Sequence, residues 1–462
     1  MMVIAFMGIF LLIMGTITSY AFEQAKYGRA LYGREQALAI AESGLEYYRW
    51  FLAHNPGNLT NGTGLPGPYT YTVNDPEGGT LGNASLTVTG NSQCGVIQSI
   101  DITSRGTSNA NVGFPRTLFA RYMRPSVAAY SYLLKSNVWA GPDRNITGRY
   151  HSNGGIRMDG TNNSDVSSAL TTWTCDAGSG CPSTKNGVFG AGPGFALWYN
   201  SAASVDFAGI ATSLASLKTY AQTGGGLYFA SSTGSVTSRG YHMLFKSNGT
   251  VDVSRVTGTV GVKGSADGST FPTEYNIIAN KTLLGNYTIP ASCSLIFADD
   301  RVWVEGVVKG KVTVVAATPS DTGTSPDAII ANNITYAAND GTSGLTVMSE
   351  RNVLIPLTSP DIMEIHGIFV AQSGYYGRNH YTTSGNNEVP SQYDSYVMQT
   401  QLTTVGTIVS AGRTGTKWTN GGVFVSGYAT RVDAYDQLQA MNPPPFTPSA
   451  STDYSFVLWR EQ

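Results

Sequence analysis

The residues that could do chemistry in this chain are few and scattered. The histidines are His54, His151, His242, His366 and His380. No two of them form an H-E-x-x-H motif or stand four residues apart, and no G-x-S-x-G motif for a nucleophilic serine occurs. His151, between Tyr150 and Ser152, is interpreted as a structural residue. The sequence therefore predicts neither a zinc protease nor a serine hydrolase.

Carboxylates offer two further possibilities. Asp299 and Asp300, with Glu305 nearby, could pair for glycoside hydrolysis or lyase chemistry. Adjacent strand residues point to opposite faces, so a turn or a solvated strand edge is favoured. Asp159 and Asp165 enclose oxygen donors that could hold calcium, but the spacing is not that of an EF-hand, and Asn and Asp are common in turns. The sequence predicts no catalytic residues and no enzyme, and calcium is its only cofactor hypothesis.

The cysteines are Cys94, Cys175, Cys181 and Cys293. Cys175 and Cys181 enclose a short glycine-rich segment that can close a loop, so a disulfide between them is predicted. Cys94 and Cys293 are either a second disulfide or two buried thiols. No C-x-x-C spacing occurs, and a zinc site is therefore not expected.

Composition favours a β-rich extracellular protein. Only 13% of the 462 residues are charged, against about 25% in ordinary soluble domains, and 54 are glycine. This length is enough for two or three domains. The 28 basic and 30 acidic residues give no charge excess that would attract nucleic acid, which is excluded as an expected partner.

The beginning of the chain predicts one long helix, residues 1–55, with two different halves. Residues 1–22 carry no charge, and about 20 such residues cross the hydrocarbon core of a bilayer. Good helix formers follow, with no proline before Pro56. The apolar residues at seven-residue spacing are Leu31, Leu38, Leu45 and Leu52. They predict a stripe that packs on a domain, with a signal anchor followed by a stalk as the alternative.

The next segment, residues 56–125, predicts a small antiparallel sheet. Alternating polar and apolar residues at 69–73, 85–89, 96–103 and 116–123 are separated by turn-forming clusters. One face of such a sheet needs cover, and the leucine stripe can supply it.

An apolar and then amphipathic helix followed by a small sheet resembles a type IV pilin. Residues 36–46, QALAIAESGLE, are similar to the A-x-A-E-x-G-L segment of PilX-type pilus assembly proteins. The resemblance implies a minor or tip-proximal subunit, held in the inner membrane before assembly and then packed among the helices of other pilin subunits. The residues that would mark its filament-core helix are Met1, Ala5, Gly8, Gly15 and Phe22. The two glycines would permit close helix approach.

Two features depart from the pilin pattern. No short basic leader ending in glycine precedes the apolar run. If the numbering starts at the mature protein, Met1 is the residue that the prepilin peptidase exposes. Most pilins then have a glutamate four residues after the first mature residue, where this chain has Ala5. The resemblance therefore points to a minor subunit or to a filament that packs differently there.

Residues 126–462 predict a mainly β outer module. Short apolar segments broken by Gly or Asn, as at 328–336, 344–348 and 363–371, are typical of stacked β-solenoid rungs. No fixed period is visible, so an irregular β-solenoid is predicted and a sandwich stays open. Residues 166–290 are predicted to be an inserted or capping section. The prolines at 443–445 and the apolar segment after them predict a tail that returns to cover a sheet edge.

The expected fold class is therefore α+β, with a long helix on a small antiparallel sheet and a β-rich module after it. The expected function is a structural subunit of an extracellular pilus-like filament that displays this module for adhesion, to surface glycans or to a host or partner cell. The alternatives are a membrane-tethered β-helix enzyme acting on polysaccharide and a secretion-system pseudopilin.

Overall fold

The computed structural model describes residues 2–175, 179–181, 183–211, 214–232, 234–319 and 325–462. The chain divides into two compact units. Unit 1 is Met1–Ser92, Ile97–Arg124 and Tyr454–Gln462, and unit 2 is Gln93–Val96 and Pro125–Asp453. The chain thus leaves unit 1 briefly at a four-residue turn, and leaves it again for the long segment between Arg124 and Tyr454.

The elements are numbered in chain order. The helices are α1 (Met2–His54), α2 (Phe207–Ala211), α3 (Leu214–Thr223) and α4 (Gln437–Met441). The strands are β1 (Tyr69–Asn74), β2 (Thr80–Gln93), β3 (Val96–Ser108), β4 (Asn111–Met123), β5 (Tyr132–Leu134), β6 (Val138–Ala140), β7 (Asn145–Ile146), β8 (Tyr150–Ser152), β9 (Ile156–Met158), β10 (Thr161–Asn162), β11 (Val166–Ser168), β12 (Thr172–Cys175), β13 (Ser183–Asn186), β14 (Val188–Phe189), β15 (Trp198–Tyr199), β16 (Leu227–Phe229), β17 (Tyr241–Phe245), β18 (Thr250–Lys263), β19 (Thr273–Thr288), β20 (Leu295–Ala298), β21 (Val302–Val308), β22 (Lys311–Ala316), β23 (Ala328–Tyr336), β24 (Gly344–Ser349), β25 (Val353–Leu354), β26 (Ile362–Ala371), β27 (Tyr376–Gly377), β28 (Met398–Ser410), β29 (Lys417–Asn420), β30 (Val423–Ala434) and β31 (Ser455–Glu461).

Unit 1 combines α1 with a sheet whose strand order, within the described residues, is β1-β2-β3-β4-β31. The β1–β2, β3–β4 and β4–β31 pairs are antiparallel. The last strand comes from the end of the chain and places Trp459 opposite Ala120 of β4. The prediction that the tail returns to a sheet edge is therefore confirmed.

Small residues bring α1 close to this sheet. The buried core of unit 1 contains Ala41, Leu45, Tyr48, Leu52, Tyr69, Leu86, Ile100, Ile102, Leu118, Ala120 and Tyr122. A Cβ on Gly44 would lie 2.7 Å from the Cβ of Ala84, and one on Gly106 of β3 would overlap the carbonyl oxygen of Ala37. Gly44 belongs to the pilin-like segment noted above, and its lack of a side chain permits this close contact.

The predicted leucine stripe is only partly correct. Leu45 and Leu52 are buried at 1% and 2% exposure, Leu38 is half-buried, and Leu31 is 47% exposed. A strict seven-residue repeat drifts by about 20° per heptad around a straight helix, so three heptads turn Leu31 well away from the sheet. The helix residues that are buried instead are Gly33, Ala37, Ile40, Ala41, Gly44 and Tyr48.

Unit 2 contains a long ladder of parallel strands. Within the described residues its order is β16-β20-β22-β24-β26-β28-β5-β8-β11-β15. Further parallel sets are β17-β21-β23-β25-β27 and β6-β9-β14. Strands such as β20 and β24 are buried throughout, as expected for parallel strands covered on both faces. This pairing does not fit the sandwich alternative, which stacks antiparallel sheets.

The chain enters this ladder in the middle and fills it in two directions. It runs from β5 to β15, passes through α2 and α3, and starts again with β16 at the opposite end. The two series meet where Ile408 of β28 lies opposite Tyr132 of β5. The prediction of an insertion at 166–290 is wrong at its start, because β11 and β15 belong to the ladder. Strands of two or three residues are too short to show a periodic pattern in sequence.

Candidate assembly helix and charged cleft

The first part of α1 presents a continuous apolar surface to its surroundings. The large apolar side chains between Met2 and Phe22 are exposed by 49% at Met14 to 79% at Val3. Among the described residues, α1 is the helix long and apolar enough to cross a membrane, and its apolar window has no buried residue. We refer to residues 2–22 as the exposed segment and to residues 33–54 as the packed segment.

The predicted filament-core residues that the structure describes are Ala5, Gly8, Gly15 and Phe22, and all of them lie in the exposed segment. Met1 lies outside the described residues. A Cβ on Gly8 or Gly15 would meet nothing within 4 Å. The hydroxyls of Thr16 and Thr18 donate to the Ile13 and Met14 carbonyls at 2.8 and 2.7 Å. Because these hydroxyls are satisfied inside the helix, the segment can enter an apolar environment without leaving them unpaired.

Unit 2 has a charged cleft at the end of β20. Its volume is about 80 Å³. The charged residues that line it are Arg239, Asp299, Asp300, Arg301, Asp327 and Arg351. Sites for small organic ligands usually measure about 300–1,000 Å³, whereas a water molecule occupies about 30 Å³. As outlined by the described residues, the cleft is therefore smaller than a usual site for a small organic ligand.

The charges in the cleft are matched to one another. Asp327 accepts two hydrogen bonds from Arg351, at 2.8 and 2.6 Å, and this contact raises the pKa of Arg351. Asp300 accepts from the backbone N–H of Ser232 at 3.1 Å and of Arg301 at 2.8 Å. Burial lowers the pKa of Arg301. This arrangement is that of a structural network, since its carboxylates already have donors.

Of the two alternatives predicted for Asp299 and Asp300, the turn is present as a bend after β20, whereas the solvated edge is wrong because their exposed fractions are only 6% and 4%. Asp299 forms an ion pair with Lys218 of α3 at 2.5 Å. Glu305 forms a separate pair with His242 at 2.7 Å. A bend directly after the buried strand β20 carries both aspartates into the unit, where these partners compensate for burial. The carboxylates that sequence suggested as a pair therefore have different partners.

His151 has the environment of a structural residue. Its Nδ1 lies 2.9 Å from the Ser167 hydroxyl and its Nε2 lies 3.1 Å from the Asn153 side-chain oxygen. Burial is the main cause that lowers its pKa, so the neutral imidazole is favoured. Both ring nitrogens are thereby used inside unit 2.

Of the two calcium candidates, Asp159 has its carboxylate engaged by other side chains of the protein. Asp159 pairs with Arg157 at 2.7 Å and accepts from the indole N–H of Trp139 at 2.8 Å. The backbone carbonyl of Asp165 accepts from the N–H of Tyr150 at 2.9 Å. Over the described ranges, no group of three or more His, Cys, Asp or Glu residues could hold a metal ion.

Both possible disulfides are present. Cys175 pairs with Cys181, as predicted, and Cys94 pairs with Cys293 across 199 positions of sequence. Cys94 and Gly95 form the turn between β2 and β3 with φ values of 51° and 78°. Glycine at the second position of a two-residue turn between alternating segments is a hairpin signal that a sequence can show.

No protein-family model and no curated protein sequence matches this chain. One solved structure similar to it is that of the competence-associated pilin ComZ from Thermus thermophilus. The identity is 11%, the match covers 93% of this chain and 97% of the other, and the TM-score is 0.31. A likeness at this level has no weight for function, which must be argued from the chain's own geometry.

Proposed function

We propose that this protein is a structural subunit of an extracellular type IV pilus-like filament, of the PilX-type minor class. The observation that carries the proposal is the change of environment along one uninterrupted helix. The packed segment of α1 buries Leu45 and Leu52 on the sheet of unit 1, whereas the exposed segment offers Phe10 and Leu12 at 61% and 72% exposure.

Burying one such side chain contributes about 1.5–3 kcal/mol, so the exposed segment needs lipid or other helices around it. Before assembly, the inner membrane supplies that environment. In the filament, the helices of other pilin subunits replace the lipid, and Gly8 and Gly15 permit close approach. Exchanging one apolar environment for another lets the subunit leave the bilayer without exposing this surface to water.

Unit 2 is the part that the filament would display, and we assign it an irregular β-solenoid architecture. Its parallel ladders and their apolar interior support this assignment. A rigid stack held outside the membrane suits adhesion, with surface glycans or a host or partner cell as the contact. The charged cleft adds no support for a polysaccharide enzyme, because its volume is about 80 Å³ and its carboxylates are paired.

The test is to shear filaments from intact cells and to analyse the N-terminal peptide of this protein by mass spectrometry. The proposal predicts the protein in the sheared fraction with an N-methylated first residue. A matched pair of variants isolates the helix: Ile13→Lys should remove the protein from filaments, and Leu31→Lys should not. Recovery only in membranes, with an unprocessed N-terminus, would contradict the filament function. Processed protein confined to the periplasm would favour a pseudopilin instead.

A further inference from the structure

We infer that the Cys94–Cys293 disulfide is a mechanical cross-link that shields residues 95–292 from tension, an inference that rests on the proposed filament function. A subunit held by α1 and gripped through unit 2 is pulled along its chain. The position of this disulfide decides which residues carry that pull. The following features of the turn and of the chain path support the inference.

The turn that carries Cys94 is built around the cysteine. Cys94 has a φ of 51°, a left-handed conformation that Gly, Asn or Asp adopts more easily. In such a turn a cysteine offers no conformational advantage, since non-glycine residues pay about 1–2 kcal/mol there. The disulfide bond therefore explains why a cysteine occupies this position.

The turn is also held by hydrogen bonds within unit 2. The N–H of Cys94 donates to the Ser292 carbonyl at 2.8 Å. The Gln93 side chain donates to the Ala291 carbonyl at 3.0 Å and accepts from the N–H of Ser294 at 2.9 Å. Cys94 and Cys293 are 7% and 0% exposed and belong to one apolar cluster. The disulfide thus ends in a well-packed site next to β20.

The covalent path explains the shielding. Without the disulfide, a pull between α1 and a late strand of unit 2 passes through β3, β4 and every strand from β5 to β19. With it, the pull passes from β2 through Cys94 directly to Cys293, and the loop of residues 95–292 carries no load. At about 3.5 Å per extended residue, that loop corresponds to about 70 nm of chain. Tension cannot extend this length while the disulfide is intact.

The experiment pulls single full-length molecules in nanodiscs with optical tweezers. One handle is placed at the N-terminus and the other is inserted at the exposed Gly421–Gly422 turn of unit 2. Replacing both Cys94 and Cys293 with serine should increase the final extension by about 70 nm and lower the force at which unit 2 first extends. The matched control replaces Cys175 and Cys181, which both lie within residues 95–292, and should leave the final extension unchanged because the Cys94–Cys293 bond still shields that loop.

Wild-type protein reduced with dithiothreitol after folding guards against a variant that fails to fold, and it should lengthen in the same way. An unchanged force for the first extension of unit 2, in both the double variant and the reduced wild type, would overturn the inference. The sheared-filament assay separates the two proposals, because the double variant leaves α1 untouched and should still enter filaments. If the disulfide shields the loop in the pulling experiment but the protein is absent from sheared filaments, only the filament function is contradicted.

Discussion

The exposed and packed segments of α1 belong to one continuous helix but are built for different surroundings. The exposed segment carries large side chains such as Phe10, Leu11 and Leu12, with more than 60% of each accessible. The packed segment uses Ala37, Ala41 and Gly44 on the side that faces the sheet. This difference shows that the close contact between α1 and the sheet of unit 1 requires small residues, whereas bulky residues suit lipid or neighbouring helices.

Charging the exposed segment should have the largest effect. Lysine in place of both Ile9 and Ile13 costs about 2.5–3.5 kcal/mol each at the centre of a membrane helix, or about 6 kcal/mol together. Carbonate extraction of membranes should then release the protein, while thermal unfolding of unit 2 stays unchanged. Leu31→Lys, outside the uncharged run, serves as the control. Retention of the double variant in membranes would contradict the assigned role of this segment.

Adding a side chain to the helix–sheet contact should have the next largest effect. Gly106→Val would force a Cβ into the backbone of α1 at Ala37, so the free energy of unfolding of unit 1 should fall by about 3 kcal/mol or more. Hydrogen exchange over residues 80–123 measures this loss. Gly28→Ala is the matched control, because nothing lies within 4 Å of its Cβ, and it should stabilise the helix by up to about 1 kcal/mol. Equal effects of the two changes would contradict the close helix–sheet contact at Ala37.

A pair of leucine truncations sharpens the boundary between the two segments. Leu45→Ala should lower the free energy of unfolding of unit 1 by about 2–3 kcal/mol, because the residue is 1% exposed. Leu31→Ala should lower it by less than about 0.5 kcal/mol, because that leucine is 47% exposed. Urea titrations of both variants provide the comparison. A large loss of unfolding free energy for Leu31→Ala would show that Leu31 packs on the sheet, as the seven-residue stripe predicts.

The smallest effect concerns Tyr48 of the packed segment, whose hydroxyl donates to the Asn58 carbonyl at 3.1 Å. Burial raises the pKa of Tyr48 from its ordinary value of 10.0 to about 12. The neutral hydroxyl therefore stabilises the fold fully below pH 10, and this contribution is lost as the pH rises to about 12. Tyr48→Phe should cost about 1 kcal/mol at pH 8 and less at alkaline pH. A difference between wild type and variant that is independent of pH would contradict this burial effect.

Much of unit 1 could be predicted because its signals are local. The uncharged run, the absence of proline and the alternating segments placed α1 and the strands near their observed bounds. The burial of Asp299 and Asp300 could not be predicted, because it depends on Lys218 and Ser232, which lie more than 60 residues away in sequence. Leu31 was misassigned because the helix rotates slightly away from a seven-residue repeat.

The sequence by itself determined that the chain begins with a helix fit for an apolar environment and continues mainly as β-strands. Hydrophobic periodicity and proline placement act over a few residues and can be read directly. Only the tertiary structure decided that β31 pairs with β4 of unit 1, that the ladder of unit 2 is entered at β5, and that Cys94 pairs with Cys293. Those partners are far apart in the chain, so bringing them together costs loop-closure entropy. Burial and strand pairing in the folded protein offset this cost.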